Sequence, residues 1–361
     1  MKKIVFAGLA AILMIASCQK NELPPENQED YSQSLYIRLD ESNFAPTTKA
    51  IADTAITDGS KFATPLKVYI FISAPDGSMK HIIPVATTPD AANPLLDIAA
   101  LKAGYRLNNI YKLASKVQIV GNPKSANFTG DMDDVLKAVE TYNDVISLVN
   151  DIQYDNDPTE LVLYGEATIS SAQDGNVTRL SAAVTLNPLV SRFQITLAYD
   201  NTAIKEVTFE GVYIRNFYET STFGNVGGGL NAQGSLEDSY TIDQPKFAAE
   251  YYPNMYDYSA SGLVTSKVFA YQFFPLTPPE IVVRYKAKNA NDNLMKLRFV
   301  RVIGFKDGAG STFSNWQSGK LYNVNIVVGR GSEDPVGENV TFDVSITVGN
   351  WSEVNLDPVY Q

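Results

Sequence analysis

The residues able to do chemistry in this chain are few and widely spaced. It has one histidine and one cysteine. Serine–histidine or cysteine–histidine catalysis would have to use His81, which lies in a strand-like run with no nucleophile motif beside it. No zinc site can be assembled from such a set, and no intramolecular disulfide can form. Asp131, Asp133 and Asp134 invite a calcium assignment, but the ligand order and glycine of an EF-hand are missing. They read as the acids that favour the positive end of a helix. Asp151, Asp155 and Asp157 fit a solvated loop. A paired-carboxylate hydrolase would need two acids set apart from the other acidic residues, and the 40 Asp and Glu offer no such pair. No catalytic residue, cofactor or metal is therefore expected. The remaining chemistry is covalent processing at two places, Cys18 and the Lys49–Ala50 bond.

Cys18 ends a leader. Met1–Lys3 is basic, residues 4–15 are apolar, and Ala16 and Ser17 are small. Residues 1–17 thus form a signal peptide, too short in their apolar core to span a bilayer. The ending Ile15-Ala16-Ser17-Cys18 resembles a bacterial lipobox, in which the cysteine is acylated and becomes the mature first residue. Each buried acyl methylene adds about 0.8 kcal/mol of membrane affinity, so such an anchor holds firmly. Residues 18–33, with Pro24-Pro25 and several acids, follow as a lipidated, solvated linker.

The body that these sites would process is long enough for two domains at 361 residues, and its 45% hydrophobic content excludes wholesale disorder. A net charge of −11 leaves no basic footprint for nucleic acid. Twenty tyrosines, 17 phenylalanines and many Val, Ile and Thr runs favour β structure. In residues 34–40, Leu35, Ile37 and Leu39 alternate with Tyr36 and Arg38, the period of a half-buried strand. Residues 34–49 form a first strand and a polar segment that ends at Lys49, a bond open to a trypsin-like protease.

Further strands are expected at residues 66–72 and 79–85 around the turn Pro75-Asp76-Gly77-Ser78, and at 111–120, 161–169 and 179–186. A short helical connection is expected over 93–103, ended by Gly104, and a longer helix from Asp131 through Val135, Val139, Tyr142, Ile146 and Val149. Asn187-Pro188 divides the chain into domains at 50–188 and 189–361. The second contains expected strands at 190–199, 205–214, 267–274, 280–286, 295–305 and 320–328. Residues 218–235, with Gly227-Gly228-Gly229, lack the strand–turn–helix context of a phosphate cradle and read as a flexible loop. Val340, Phe342, Val344, Ile346 and Val348 alternate cleanly, before a short tail at 352–361. This last strand serves either as a member of its own sheet or as a donor to a neighbour.

Taken in order, these features resemble the fimbrillin family, the type V pilins of Bacteroidetes, over essentially the whole chain. The resemblance rests on the lipobox at Cys18, the first strand before a basic residue, and Val68-Tyr69-Ile70-Phe71 with its Asp76-Gly77 turn. It also rests on Leu189-Val190-Ser191-Arg192-Phe193, on Ser318-Gly319-Lys320-Leu321-Tyr322-Asn323-Val324-Asn325-Ile326, and on the closing 344–351. It implies an all-β fold of two tandem transthyretin-like β-sandwich domains with one or two short helices. It also implies export through the periplasm as an outer-membrane lipoprotein, lipidated at Cys18, that reaches the cell surface. An arginine- or lysine-specific protease would cut at Lys49–Ala50, where arginine is the more familiar residue. The strand carrying Leu35, Ile37 and Leu39 would leave, and Val340, Phe342, Val344, Ile346 and Val348 of a neighbouring pilin subunit would fill the groove. Main-chain bonds give such a joint affinity and alternate side chains give it register. Head-to-tail donation does not close, so the product is a fimbrium. Adhesion to a host or bacterial surface ligand would be its task. The alternative is a surface lipoprotein that never polymerises and binds glycans through Tyr251, Tyr252, Tyr256, Tyr258 or Trp316.

Overall fold

A computed structural model describes residues 31, 33–39, 65–89, 95–152, 161–174, 177–231, 256–257, 268–289, 293–307, 312–328, 346–349 and 356–360. The fold is all-β, as its composition requires. The first half contains β1 (Gln33–Leu39), β2 (Lys67–Ser73), β3 (Met79–Ala86), α1 (Ile98–Ala103), β4 (Tyr105–Ile110) and β5 (Lys116–Gly121). It continues through α2 (Met132–Lys137), α3 (Tyr142–Ile146), β6 (Val149–Asp151), β7 (Leu163–Thr168), β8 (Ser170–Asp174), β9 (Val177–Val184) and β10 (Asn187–Pro188). The second half begins with β11 (Ser191–Tyr199), β12 (Ile204–Arg215), β13 (Phe217–Thr222), β14 (Gly227–Asn231) and β15 (Tyr256–Asp257). It ends with β16 (Val268–Phe273), β17 (Glu280–Asn289), β18 (Lys296–Asp307), β19 (Leu321–Val328), β20 (Ile346–Gly349) and β21 (Leu356–Tyr360).

Two pairs of sheets repeat one plan. The first half has a four-stranded sheet in the order β4-β1-β9-β8 and a five-stranded sheet β3-β2-β5-β7-β10. The second half has β16-β11-β19-β20 and β15-β12-β17-β18-β21. In both four-stranded sheets the first strand lies inside, antiparallel to one neighbour and parallel to a much later strand. β1 runs antiparallel to β4 and parallel to β9, and β11 runs antiparallel to β16 and parallel to β19. Pairing passes from the first set of sheets to the second between β10 and β11. A fifth sheet, β14-β13-β6, joins strands of the two halves.

Side chains explain the layering. β1 alternates buried Leu35, Ile37 and Leu39 with exposed Tyr36 and Arg38, so its sheet shows one face to the core and one to water. β2 is buried on both faces from Val68 to Ser73. Its outer face lies under the α2–α3 segment, where Tyr69 donates its hydroxyl proton to Asp133 and Gln118 of β5 reaches the Tyr142 carbonyl. In the second half Phe193, Phe273, Phe305, Phe313, Trp316 and Tyr322 form one aromatic cluster, with ring centroids 4.4–6.2 Å apart.

Four expectations are corrected. The helix expected over 131–149 is two helices and a strand. The Met79 N–H donates to the Glu140 carbonyl and Ser78 bridges Thr141, so the chain is extended between α2 and α3. Thr141 then starts α3 with a capping box closed by Asp144. The strand expected over 111–120 begins only at Lys116, and the preceding strand is β4. The glycine-rich loop is the β13–β14 hairpin, Phe217 opposite Asn231 and Thr220 opposite Gly228. Finally, the tail contains β21, which pairs with β18 from Leu356 to Tyr360.

Candidate functional site: the seat of the first strand

β1 fills a slot between β4 and β9. Its register sets Leu35 opposite Leu180, Ile37 opposite Ala182 and Leu39 opposite Val184 on one side. On the other, Leu35 faces Leu107 and Ile37 faces Tyr105. Leu35, Ile37 and Leu39 are fully buried. At about 1.5–3 kcal/mol for each buried aliphatic side chain, these three outweigh any polar contact the strand makes. Without β1, both β4 and β9 would present an unpaired inner edge, and Leu107, Leu180 and Val184 would lose their cover.

Polar and aromatic contacts fix the strand lengthwise. The Ser34 hydroxyl donates to Asn108 Oδ1 at 3.0 Å, and the Tyr36 hydroxyl donates to the Ala103 carbonyl at 3.3 Å. Ala103 is the last residue of α1, a helix capped by Asp97, whose carboxylate accepts from the Ala100 N–H at 2.7 Å. Gly104 follows at φ +96°, the left-handed region open to glycine. Just before β1, Tyr31 packs edge-on against His81 at 5.5 Å and at a tilt of 54° against Tyr111 at 5.6 Å. His81 Nε2 accepts the Tyr111 N–H at 3.0 Å, and burial pulls its pKa down to about 4. The lone histidine is thus neutral and structural at the mouth of this slot.

Only some of the residues expected to take part in processing and strand exchange fall in the described residues. Cys18, Lys49, Ala50, Val340, Phe342 and Val344 lie outside them, as do Tyr251, Tyr252 and Tyr258. Ile346 and Val348 belong to β20, where they pair with Val324 and Tyr322 of β19 at the edge of the sheet. Trp316 is half-buried inside the aromatic cluster, with rings on several sides, and packs as core. The phrases at 189–193 and 318–326 are brought together as β11 and β19, with Phe193 opposite Tyr322. The Gly319 N–H also donates to the Val190 carbonyl, and the Ser191 hydroxyl to the Gln317 carbonyl at 2.6 Å. Asp131 caps α2, accepting from the N–H groups of Asp133 and Asp134. Asp133 in turn pairs with Lys67 Nζ at 2.6 Å, and that partner holds its carboxyl below the usual range. Among the described residues no group of three His, Cys, Asp or Glu is placed to hold a metal ion, and no helix is long and apolar enough to cross a membrane.

The fold of this all-β chain is similar to that of solved structures of candidate cell adhesion proteins from Bacteroides and Parabacteroides. A candidate cell adhesion protein from Bacteroides eggerthii is similar over 88% of this chain and 95% of its own, with 16% identity and a TM-score of 0.51. Two from Parabacteroides distasonis have TM-scores of 0.53 and 0.52 at 12% and 11% identity, covering 92% and 89% of this chain and 99% and 98% of theirs. At such identities the likeness is one of fold. No family model matches the sequence. No curated protein matches it either.

Proposed function

We propose that the chain is a structural, non-enzymatic subunit of a cell-surface fimbrium, made of two tandem domains divided near residue 188 and assembled by strand exchange. In this reading Cys18 carries the lipid through the periplasm to the outer membrane. A protease specific for basic residues cuts at Lys49–Ala50, β1 departs, and a strand from a neighbouring subunit enters between β4 and β9. The observation that carries the reading is the position of β1: an internal strand with three fully buried side chains, at the start of the body. β11 occupies the same place in the second half but runs straight on from β10, so it could not leave without cutting the chain in two.

The donor is the segment from Val340 onward. Its residues Ile346 and Val348 are seated on β19 in the single chain and Leu356–Tyr360 on β18, so donation requires β20 and β21 each to peel from the edge of a sheet. That pairing also favours a second reading, a terminal subunit or a non-polymerising binding lipoprotein whose β20 never leaves. The two readings separate in one experiment. Under the first, Lys49→Ala retains residues 18–49 and gives lipid-bound monomers in place of fibres, read by electron microscopy of whole cells. Fibres of normal length from Lys49→Ala would remove the proposed cut. Monomers from both wild type and variant would favour the second reading.

A further inference from the structure

A cleft of about 650 Å³ lies where the two halves meet, lined among others by Tyr142, Tyr164, Glu166, Asn187, Asn225 and Ser318. We propose that this cleft binds a neutral saccharide, with the Glu166 carboxylate as its central acceptor. The proposal stands apart from strand exchange and uses none of the residues of the β1 slot.

The cleft is built before any ligand arrives. The turn between β13 and β14 docks on the first half through two backbone bonds, Phe223 N–H to the Leu148 carbonyl at 3.1 Å and Gly224 N–H to the Ile146 carbonyl at 2.8 Å. Phe223 also stacks on Tyr164, centroids 5.5 Å apart and planes 26° off parallel. Inside, the hydroxyls of Tyr142 and Tyr164 both donate to one oxygen of Glu166, Oε2, at 2.8 Å each. Tyr164 has a single hydroxyl proton, and Gln118 Nε2 donates to its oxygen at 2.9 Å, so the direction of that bond is fixed. Lys116 Nζ stands 4.2 Å from the centre of the Tyr142 ring. Burial, with Glu166 adding to it, pushes the Tyr142 phenol up to about 12 and that of Tyr164 higher, although Gln118 opposes the rise at Tyr164. Both therefore remain protonated donors.

This geometry spends one carboxylate oxygen on the scaffold and leaves the other. Oε1 of Glu166 accepts no hydrogen bond from the described residues, and the side chain is exposed. A fixed anionic acceptor flanked by tyrosine rings and by amide and hydroxyl side chains selects a ligand rich in hydroxyl donors with an apolar ring face. Anions are disfavoured by Glu166. One carboxylate is too few for a divalent cation. A purely apolar ligand would strip water from the Glu166 carboxylate without return. A pyranose satisfies each requirement, adjacent hydroxyls reaching Oε1 and the Asn225 amide while its C–H face lies on the rings.

The test is titration of the full chain with maltotriose, mannotriose, galactotriose and N-acetyllactosamine at up to millimolar concentration, read by saturation-transfer NMR and calorimetry. At least one should bind. Glu166→Gln keeps the shape of the cleft and should weaken binding at least tenfold. Asn225→Gly removes a lining side chain at a φ of +60°, a conformation glycine adopts freely, and should also weaken binding with the melting temperature unchanged. Absence of binding by all four saccharides overturns the proposal. So does binding that both variants leave intact, which would place the sugar elsewhere.

Discussion

Tyr36 and Gly104 meet where the first strand touches α1, and their contact gives a test at the scale of single residues. A Cβ added at Gly104 would stand 1.7 Å from the Tyr36 hydroxyl oxygen and 2.3 Å from its Cζ, in addition to the strain of φ +96°. Gly104→Ala should therefore destabilise the fold by roughly 1–3 kcal/mol from backbone strain alone, with the steric clash added. Tyr36→Ala in the same chain should relieve the steric part only, so the double mutant is more stable than the two single effects predict. Chemical denaturation of the four chains measures this coupling, and strict additivity would mean that Tyr36 is not seated there. His81 supplies a second test. Its pKa lies near 4 in the fold against an ordinary value of 6.5, so below pH 6.5 the unfolded chain takes up a proton that the folded chain refuses. Stability is then fully present above pH 6.5 and falls as the pH drops towards 4, by at most about 3 kcal/mol. His81→Gln should flatten that part of the stability–pH curve. Equal slopes for wild type and variant between these pH values would show that His81 is not buried as described.

At the scale of elements, the claim is that β1 is separable. A chain beginning at Ala50 should bind a synthetic peptide of residues 31–40, and the same peptide carrying Leu35→Asp, Ile37→Asp and Leu39→Asp should fail to bind, as fluorescence anisotropy would show. Equal binding of both peptides would mean that the slot does not read the buried face. Legibility in the sequence follows the same physics. β1, β2, β12, β17 and β19 were visible because core and solvent, or two cores, impose a clear pattern on their side chains. The helix expected over 131–149 failed because its spacing was satisfied by two short helices, while backbone bonds from Met79 and Ser78 pulled residues 140–141 into extension. β14 was hidden because a ladder needs only backbone groups. Gly227 is required there by close approach, a Cβ meeting Tyr218 Cδ1 at 2.5 Å. β21 was masked by Pro358, which an edge strand tolerates.

At the scale of the molecule, the repeated plan of the two sheet pairs makes the difference between β1 and β11 meaningful. Both are internal strands, yet only β1 stands ahead of the body and could be removed by one cut. Alternation alone does not show that asymmetry, since residues 34–40 and 190–199 carry the same pattern; the basic residue after the first strand and the family resemblance point to it, and the strand order adds that both strands are internal. The saccharide cleft was hidden. Tyr142, Tyr164 and Glu166 come from α3 and β7, and the turn that closes the cleft on them comes from a stretch read as a loop. The account rests most directly on what the mature protein begins with. The decisive measurement is N-terminal sequencing with intact mass of the protein sheared from the surface of its native cells. The account predicts a chain that starts at Ala50 and carries no lipid. A chain that starts at acylated Cys18, with β1 still in its slot, would contradict it.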